Sequence, residues 1–370
     1  MPISKFILWF LSLCFWMLIS YFIRKKENKI NNIYIKVLLI VVKILLTISL
    51  AFSIIAMSIA IVWKYEYLFA SLYVVLFAAI VFDIFNVVVL LFKKNTYSFK
   101  TSEIIRLSIT FLVFLYGTIN SLIIIPNHLS YTTDKINNET AFIFLSDVHY
   151  GSAQTKGIVE DAFNKIKKLN PSFIVLGGDV TDENSTKEQM EEIYSIIAST
   201  GIKTYFVYGN HDRQHDADYV GGKKYTLEEL ESTIKNNGIE ILKDDFIYVK
   251  ENIILLGRED ITVSSRMEVK DLKTRPESAY VINIDHSPYQ EEDIKMTKAD
   301  LQLSGHTHAG QLFPLKTVYK IGVNNIFGKY KIDNTDIYVS SGFSGWGMPY
   351  RTEEHCNFEV ITLKPVLNNN

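Results

Sequence analysis

Cysteine is scarce in this chain, with two in 370 residues. Cys14 lies in the first apolar run and Cys356 close to the C-terminus, so an intrachain disulfide is not expected to organise the fold. Excess charge of one sign is also missing. The 38 Lys and Arg against 40 Asp and Glu leave a net charge of −2. No long basic patch appears beyond the flanks of the apolar runs, which argues against a grip on nucleic acid. Internal repeats and low-complexity tracts are absent, excluding a solenoid or a disordered tail as the main architecture. The N-terminal third has little charge within its apolar runs, and it is the source of a mean hydropathy of +0.12.

Those runs are Ile3–Ile23, Ile44–Trp63, Tyr67–Phe92 and Ile104–Ile125. Each meets or approaches the ~20 residues needed to span a bilayer. A cleaved signal peptide at Ile3–Ile23 is the alternative for the first run. It has only Lys5 ahead of it, no small-residue cleavage pattern, and Arg24-Lys25-Lys26 behind it. Basic residues crowd the first connection (Arg24, Lys25, Lys26, Lys29, Lys36) and the third (Lys93, Lys94, Lys100). By the positive-inside rule these connections are cytoplasmic, which places the remainder of the chain outside. Asp83 and Asn86 fall inside the third run. Either they hydrogen-bond helix to helix or they serve a function within the membrane. The expectation is an all-α transmembrane anchor of about four helices over 1–126, a linker over 127–138 and a catalytic domain over 139–366.

The second part of the chain carries five polar clusters. They are Asp147-Val148-His149, Gly178-Asp179-Val180-Thr181-Asp182, Gly209-Asn210-His211-Asp212, Asp285-His286-Ser287-Pro288 and Gly305-His306-Thr307-His308-Ala309-Gly310-Gln311. Each follows a short apolar run: Ala141–Leu145, Phe173–Leu176, Thr204–Tyr208, Tyr280–Ile284 and Leu301–Leu303. Such runs read as buried strands, and the helix-period stretches Lys156–Leu169 and Thr186–Ser199 between the first three indicate α/β layering. Ligand-type residues therefore stand at strand ends. Any one cluster alone reads as a turn or a helix cap. Five of the eight histidines nevertheless fall in these motifs, so a common site is the better reading. Mixed imidazole and carboxylate ligands suit Zn, Fe or Mn without selecting among them. Two such cations roughly 3.5–4 Å apart polarise a phosphoryl oxygen, generate hydroxide and clamp an in-line displacement. His211, next to Asn210, then has the position of a general acid.

Taken together, Asp-x-His, Gly-Asp-x-x-Asp, Gly-Asn-His-Asp, an isolated later His and Gly-His-Thr-His resemble the calcineurin-like metallophosphoesterase superfamily over Phe142–Gln311. The Gly310-Gln311 continuation and the glycine-rich turn ending Pro349-Tyr350-Arg351 resemble its membrane-associated bacterial branch. The resemblance implies an αββα sandwich, two mixed β-sheets with flanking helices. It also implies a dinuclear centre with Asp147, His149 and His308 on one metal, Asn210, His286 and His306 on the other, and Asp179 bridging. His211 would protonate the leaving group and Asp212 would orient it, while Asp182 has either a site role or a bracing one. Arg351, and more weakly Arg258, would contact substrate phosphate; ordinary solvated surface arginines are the alternative. His215, in the loop beyond, is either an extra ligand or a solvated side chain. The implied activity is phosphoester hydrolysis, phosphodiester preferred, on a phosphate-bearing small molecule or lipid head group. Hydrolysis of a pyrophosphate in a nucleotide-linked or lipid-linked envelope precursor, such as UDP-diacylglucosamine, and phosphomonoester hydrolysis are the alternatives.

Overall fold

A computed structural model describes residues 3–366, save 28, 31, 57–61, 93–97 and 322–324. Lys93 and Lys94, part of the charge used above to orient the anchor, lie outside the described residues. The chain divides into two compact units, Met1–Asn120 and Ser121–Asn370.

The first unit contains four helices, α1 (Ile3–Glu27), α2 (Ile33–Ala56), α3 (Val62–Phe92) and α4 (Phe99–Leu122). Among the described residues one of them, α4, is long and apolar enough to cross a membrane; a shorter apolar stretch covers Ala70–Asn86. Charges meet between the helices. Asp83 of α3 pairs with Arg24 of α1 at 2.8 Å and with Lys43 of α2 at 2.7 Å. Glu103 of α4 pairs with Arg24 and with Arg106, both at 2.8 Å. Arg106 also donates to Ser20 of α1. Asp83 is thus a partner in helix-to-helix bonding, the first of the two readings. Asn86 donates to the Phe82 carbonyl one turn back.

The second unit is a sandwich of two six-stranded mixed sheets. Sheet one runs β1 (Ile124–Thr133), β12 (Cys356–Pro365), β2 (Thr140–Leu145), β3 (Ile174–Leu176), β4 (Thr204–Phe206), β5 (Glu240–Ile241). Sheet two runs β10 (Gly328–Ile332), β11 (Thr335–Val339), β9 (Leu301–Ser304), β8 (Tyr280–Ile284), β7 (Ile253–Gly257), β6 (Asp245–Lys250). Strands β2 to β5 pair in parallel, as do β7, β8, β9 and β11. Successive side chains of a strand face opposite sides of its sheet, and β2 shows the consequence. Phe142 and Phe144 join Val175, Leu255, Ile282, Leu301 and Ile361 in the core shared by both sheets. Ile143 and Leu145 face the other way, onto Val159, Phe163 and Ile166 of α5 (Lys156–Leu169) and Met190 and Ile193 of α6 (Lys187–Ala198). Helix α6 starts where its sequence prescribes: Thr186 and Gln189 form a reciprocal capping box.

One expectation is overturned. The polar stretch expected to link the units, 127–138, instead enters sheet one. Its first half belongs to β1, which pairs in parallel with β12 from Ile124–Cys356 to Thr133–Pro365. Alternate burial of Leu129, Tyr131 and Thr133 shows the period of two that its polar composition disguised. The two C-terminal strands divide between the sheets: β11 joins sheet two beside β9, and β12 crosses to sheet one, between β1 and β2.

A chain beginning at Glu139 is therefore expected to fold poorly, whereas one beginning at Ser121 retains β1. Loss of the buried Ile124 and Leu129 removes roughly 1.5–3 kcal/mol each and leaves β12 as an open edge. Thermal melts of the two truncations check this, and equal melting temperatures would refute it.

Candidate metal centre

The carboxyl ends of β2, β3, β4, β8 and β9 deliver all five clusters to one place. Backbone hydrogen bonds lock the loops together: Asp147 N–H to Gly178 O at 2.9 Å, His149 N–H to Asp179 O at 3.1 Å and Gly305 N–H to His286 O at 3.0 Å. The approach is too close for side chains at the glycines. A Cβ on Gly178 would stand 2.5 Å from Gly209 N and 2.7 Å from His286 Nδ1, and one on Gly305 would meet Asp147 Oδ2 at 2.3 Å. The backbone also bends to aim the ligands. Asp147 (φ 58°), His149 (44°), Asp179 (53°), His306 (70°) and His308 (48°) all adopt left-handed conformations. Such conformations cost on the order of 1–3 kcal/mol each in non-glycine residues and concentrate at functional sites.

Two sets of ligand atoms result. Asp147, His149 and His308 converge in one, and Asp179, His286 and His306 in the other. In the first, His149 Nε2 lies 3.2 Å from His308 Nε2, and the latter lies 3.4 Å from Asp147 Oδ1. In the second, His286 Nε2 lies 3.0 Å from Asp179 Oδ2, and Asn210 Oδ1 lies 2.8 Å from His306 Nδ1. Asp179 Oδ2 is also 3.9 Å from His149 Nε2, which puts this carboxylate between the two sets.

The donor sets fit divalent cations. Ligand atoms about 2.0–2.2 Å from a common ion stand roughly 3–3.4 Å from one another, which is the spacing observed. Two buried imidazole nitrogens facing each other at 3.2 Å, next to a carboxylate, are a natural seat for a cation. Burial holds His308 down to about 3, and burial and the His286 charge hold His306 down to about 4, so both are neutral and have lone pairs to offer. His286 Nδ1 donates to Gly177 O at 2.8 Å, which turns Nε2 toward Asp179. Burial acts to raise the Asp179 carboxyl, but the charges of His286 and His211 hold it well below the usual range.

The groups around the ligands differ in part from expectation. Asp182 braces His149, with Oδ2 3.3 Å from Nδ1, and accepts from Ser152 and from the Asn184 N–H. Asp212 does not orient His211. Its carboxylate accepts the backbone N–H groups of Asp179, Val180 and Gly209 at 2.8–2.9 Å, and so clamps two ligand loops. The partner of His211 is Glu183, whose oxygens lie 2.8 and 3.0 Å from Nδ1. Glu183 was missed because its neighbour Asp182 occupies the motif position. Its own signal was its place one residue further along the same loop. Burial acts to lower the His211 imidazole, but Asp179 and Glu183 push it up to about 10.

Arg351 and Arg258 are not placed to hold phosphate. Arg351 is fully buried and donates to the carbonyls of His308, Ser341, Ser344 and His355. Four carbonyl oxygens in a turn need a fork of donors, and the guanidinium supplies it. Arg258 is buried against Asp244 at 2.9 Å and donates to Met267 O. His215 is exposed in its loop.

Residues 140–310 match the calcineurin-like phosphoesterase family profile. This is a calcineurin-like phosphoesterase domain. A Helicobacter pylori protein named "Uncharacterized metallophosphoesterase" is 32% identical over 241 residues, 63% of this chain and 62% of that one. A Campylobacter jejuni metallophosphoesterase is 26% identical, with 80% of each chain covered. A Danio rerio protein named "Transmembrane protein with metallophosphoesterase domain" is 26% identical over 70% of this chain and 62% of its own length. The alignment thus spans less than two thirds of the Helicobacter relative.

The different duties of Glu183 and Asp212 make opposite predictions. Glu183→Gln should keep metal content and melting temperature while slowing turnover by roughly 10–100-fold, less than the roughly 10²–10⁴ of a lost general acid because His211 itself remains. Asp212→Ala should release the Asp179 and Gly209 loops, lowering both melting temperature and metal content. Metal analysis and calorimetry on the two variants separate these roles.

Proposed function

We propose that this protein is a membrane-anchored phosphoester hydrolase that uses two divalent cations and prefers phosphodiesters. The observation that carries the reading is Asp179, standing between two converging sets of buried ligands. Asp147, His149 and His308 would hold one ion, Asn210, His286 and His306 the other, and Asp179 both. Bound there, cations of the Mn, Zn or Fe class supply Lewis acidity toward phosphoryl oxygens and activation of a water. The chain's own residues do the rest. Glu183 engages His211 Nδ1 and leaves Nε2 to deliver a proton to the departing oxygen. The His211 backbone N–H donates to Asp179 Oδ1 at 2.8 Å, fixing the acid beside the bridging carboxylate.

The phosphodiester preference is supported by what surrounds the centre. A pyrophosphate needs cationic contacts for its second phosphate, and nearby guanidinium groups are engaged elsewhere. Arg213 pairs with Glu259, Arg266 with Asp285, and Arg258 with Asp244, while Arg351 serves carbonyls. Membrane anchorage is supported by the apolar α4 and by relatives whose names include "Transmembrane protein"; a catalytic unit outside the cytoplasm rests on the basic residues of the first and third connections. A phosphate-bearing lipid head group is then the natural substrate.

The test uses the full chain with Mn, Zn, Fe or Mg supplied in turn, bis-p-nitrophenyl phosphate against p-nitrophenyl phosphate, and Asp179→Asn as the blank. Diester turnover above monoester supports the proposal, and full activity in Asp179→Asn would end it. His211→Ala should retain its metals and lose roughly 10²–10⁴ in rate. The loss should be smaller for p-nitrophenolate, which needs no proton, than for an alkoxide; equal losses would remove His211 from the acid role.

A further inference from the structure

Two aromatic rings stand against the centre, beside different histidines. Trp346 lies 6.2 Å from the His211 ring, held by backbone and carbonyl bonds to the Gln311 amide. Tyr289 meets the His306 ring edge-on at 5.5 Å and is 43% exposed, so a large aromatic remains open to solvent directly beside a metal ligand. Large apolar side chains left open beside a buried polar site indicate a ligand surface.

The reaction divides these surfaces between the two arms of the substrate. His211 delivers its proton to the leaving group, so the ring beside it, Trp346, belongs to the leaving arm. Tyr289 stands beside a different histidine, His306, and is left for the group retained on phosphorus. Among the described residues, Arg213, Arg258, Arg266 and Arg351 are each engaged by carboxylates or carbonyls rather than turned to a second phosphate. We infer that Tyr289 forms an apolar wall that seats the retained arm, and that the substrate is a phosphodiester whose retained substituent is apolar. This rests on the phosphoester reading above and names the part of the substrate which that reading leaves open.

The test is a series in which only the retained arm changes: methyl, butyl and octyl p-nitrophenyl phosphate, hydrolysed by the metal-loaded full chain in one membrane-mimetic preparation. Each methylene reaching the wall should raise kcat/KM by up to about fourfold, mainly through KM. Tyr289→Ala should flatten that dependence. Tyr248→Ala, which removes an exposed aromatic from edge strand β6, should leave it as in the wild type. Rates that do not vary with chain length, or a slope undiminished in Tyr289→Ala, would overturn the inference. So would an equal loss for all three esters with a lowered melting temperature, which would mark Tyr289 as merely structural. Absence of turnover with metals bound would count against hydrolysis instead. The wall is then judged by calorimetry with octyl and methyl phosphonate: tighter octyl binding that Tyr289→Ala abolishes sustains it, and equal affinities refute it.

Discussion

Two carboxylates buried in the same pocket govern this domain. Asp147 and Asp179 are almost wholly removed from water, and burial alone would drive protons onto both. Histidines from three other loops hold them ionised, and the spacing leaves places that cations suit. Much of the surrounding structure follows from that demand. Five ligands take left-handed backbone conformations to reach the pocket. Glycines 178 and 305 let neighbouring loops touch, and Asp212 spends its charge on backbone N–H groups that hold two loops in register. Such strain persists only where the surroundings over-determine it. Here they are a mixed sheet covered on both faces on one side and a second mixed sheet on the other.

The second layer of groups is as specific as the ligands. Glu183 directs His211, Asp182 directs His149, and the Gly177 carbonyl directs His286. Each engages one imidazole nitrogen and thereby assigns the other to the site. Arg351 has a comparable mechanical task. By gathering two carbonyls of the glycine-rich turn with those of His308 and His355, it ties that turn to the ligand loop and holds Ser344, whose carbonyl lies 3.2 Å from His308 Nδ1.

The N-terminal unit meets its own version of the same constraint. Asp83 and Glu103 on two helices are neutralised by Arg24, Lys43 and Arg106 from the helix set, so four apolar helices carry one shared ionic network. Charges placed among apolar helices are costly unless paired, and pairing specifies which helices must adjoin. Arg24 and Lys43 had the look of loop charges because their partners are distant in sequence.

The sequence by itself determined the local elements and the ligand identities. Short apolar runs and helical patterning marked β2, β8 and α5 almost to the residue, and the ligand types at strand ends announced a metal site. It did so because burial period and ligand chemistry are properties of short segments. Long-range partnership was decided only by the tertiary structure. Strand β1 reads as a polar linker until β12 pairs with it, and β12 joins sheet one across the width of the domain. Glu183 takes the duty expected of Asp212 because a carboxylate takes the donors nearest in space, here for Asp212 the N–H groups of Asp179 and Val180, 33 and 32 residues away. Arg351 and Arg258 look like anion contacts until folding surrounds them with carbonyls and carboxylates. A charged side chain's role is set by its partners, and those partners are assembled by packing.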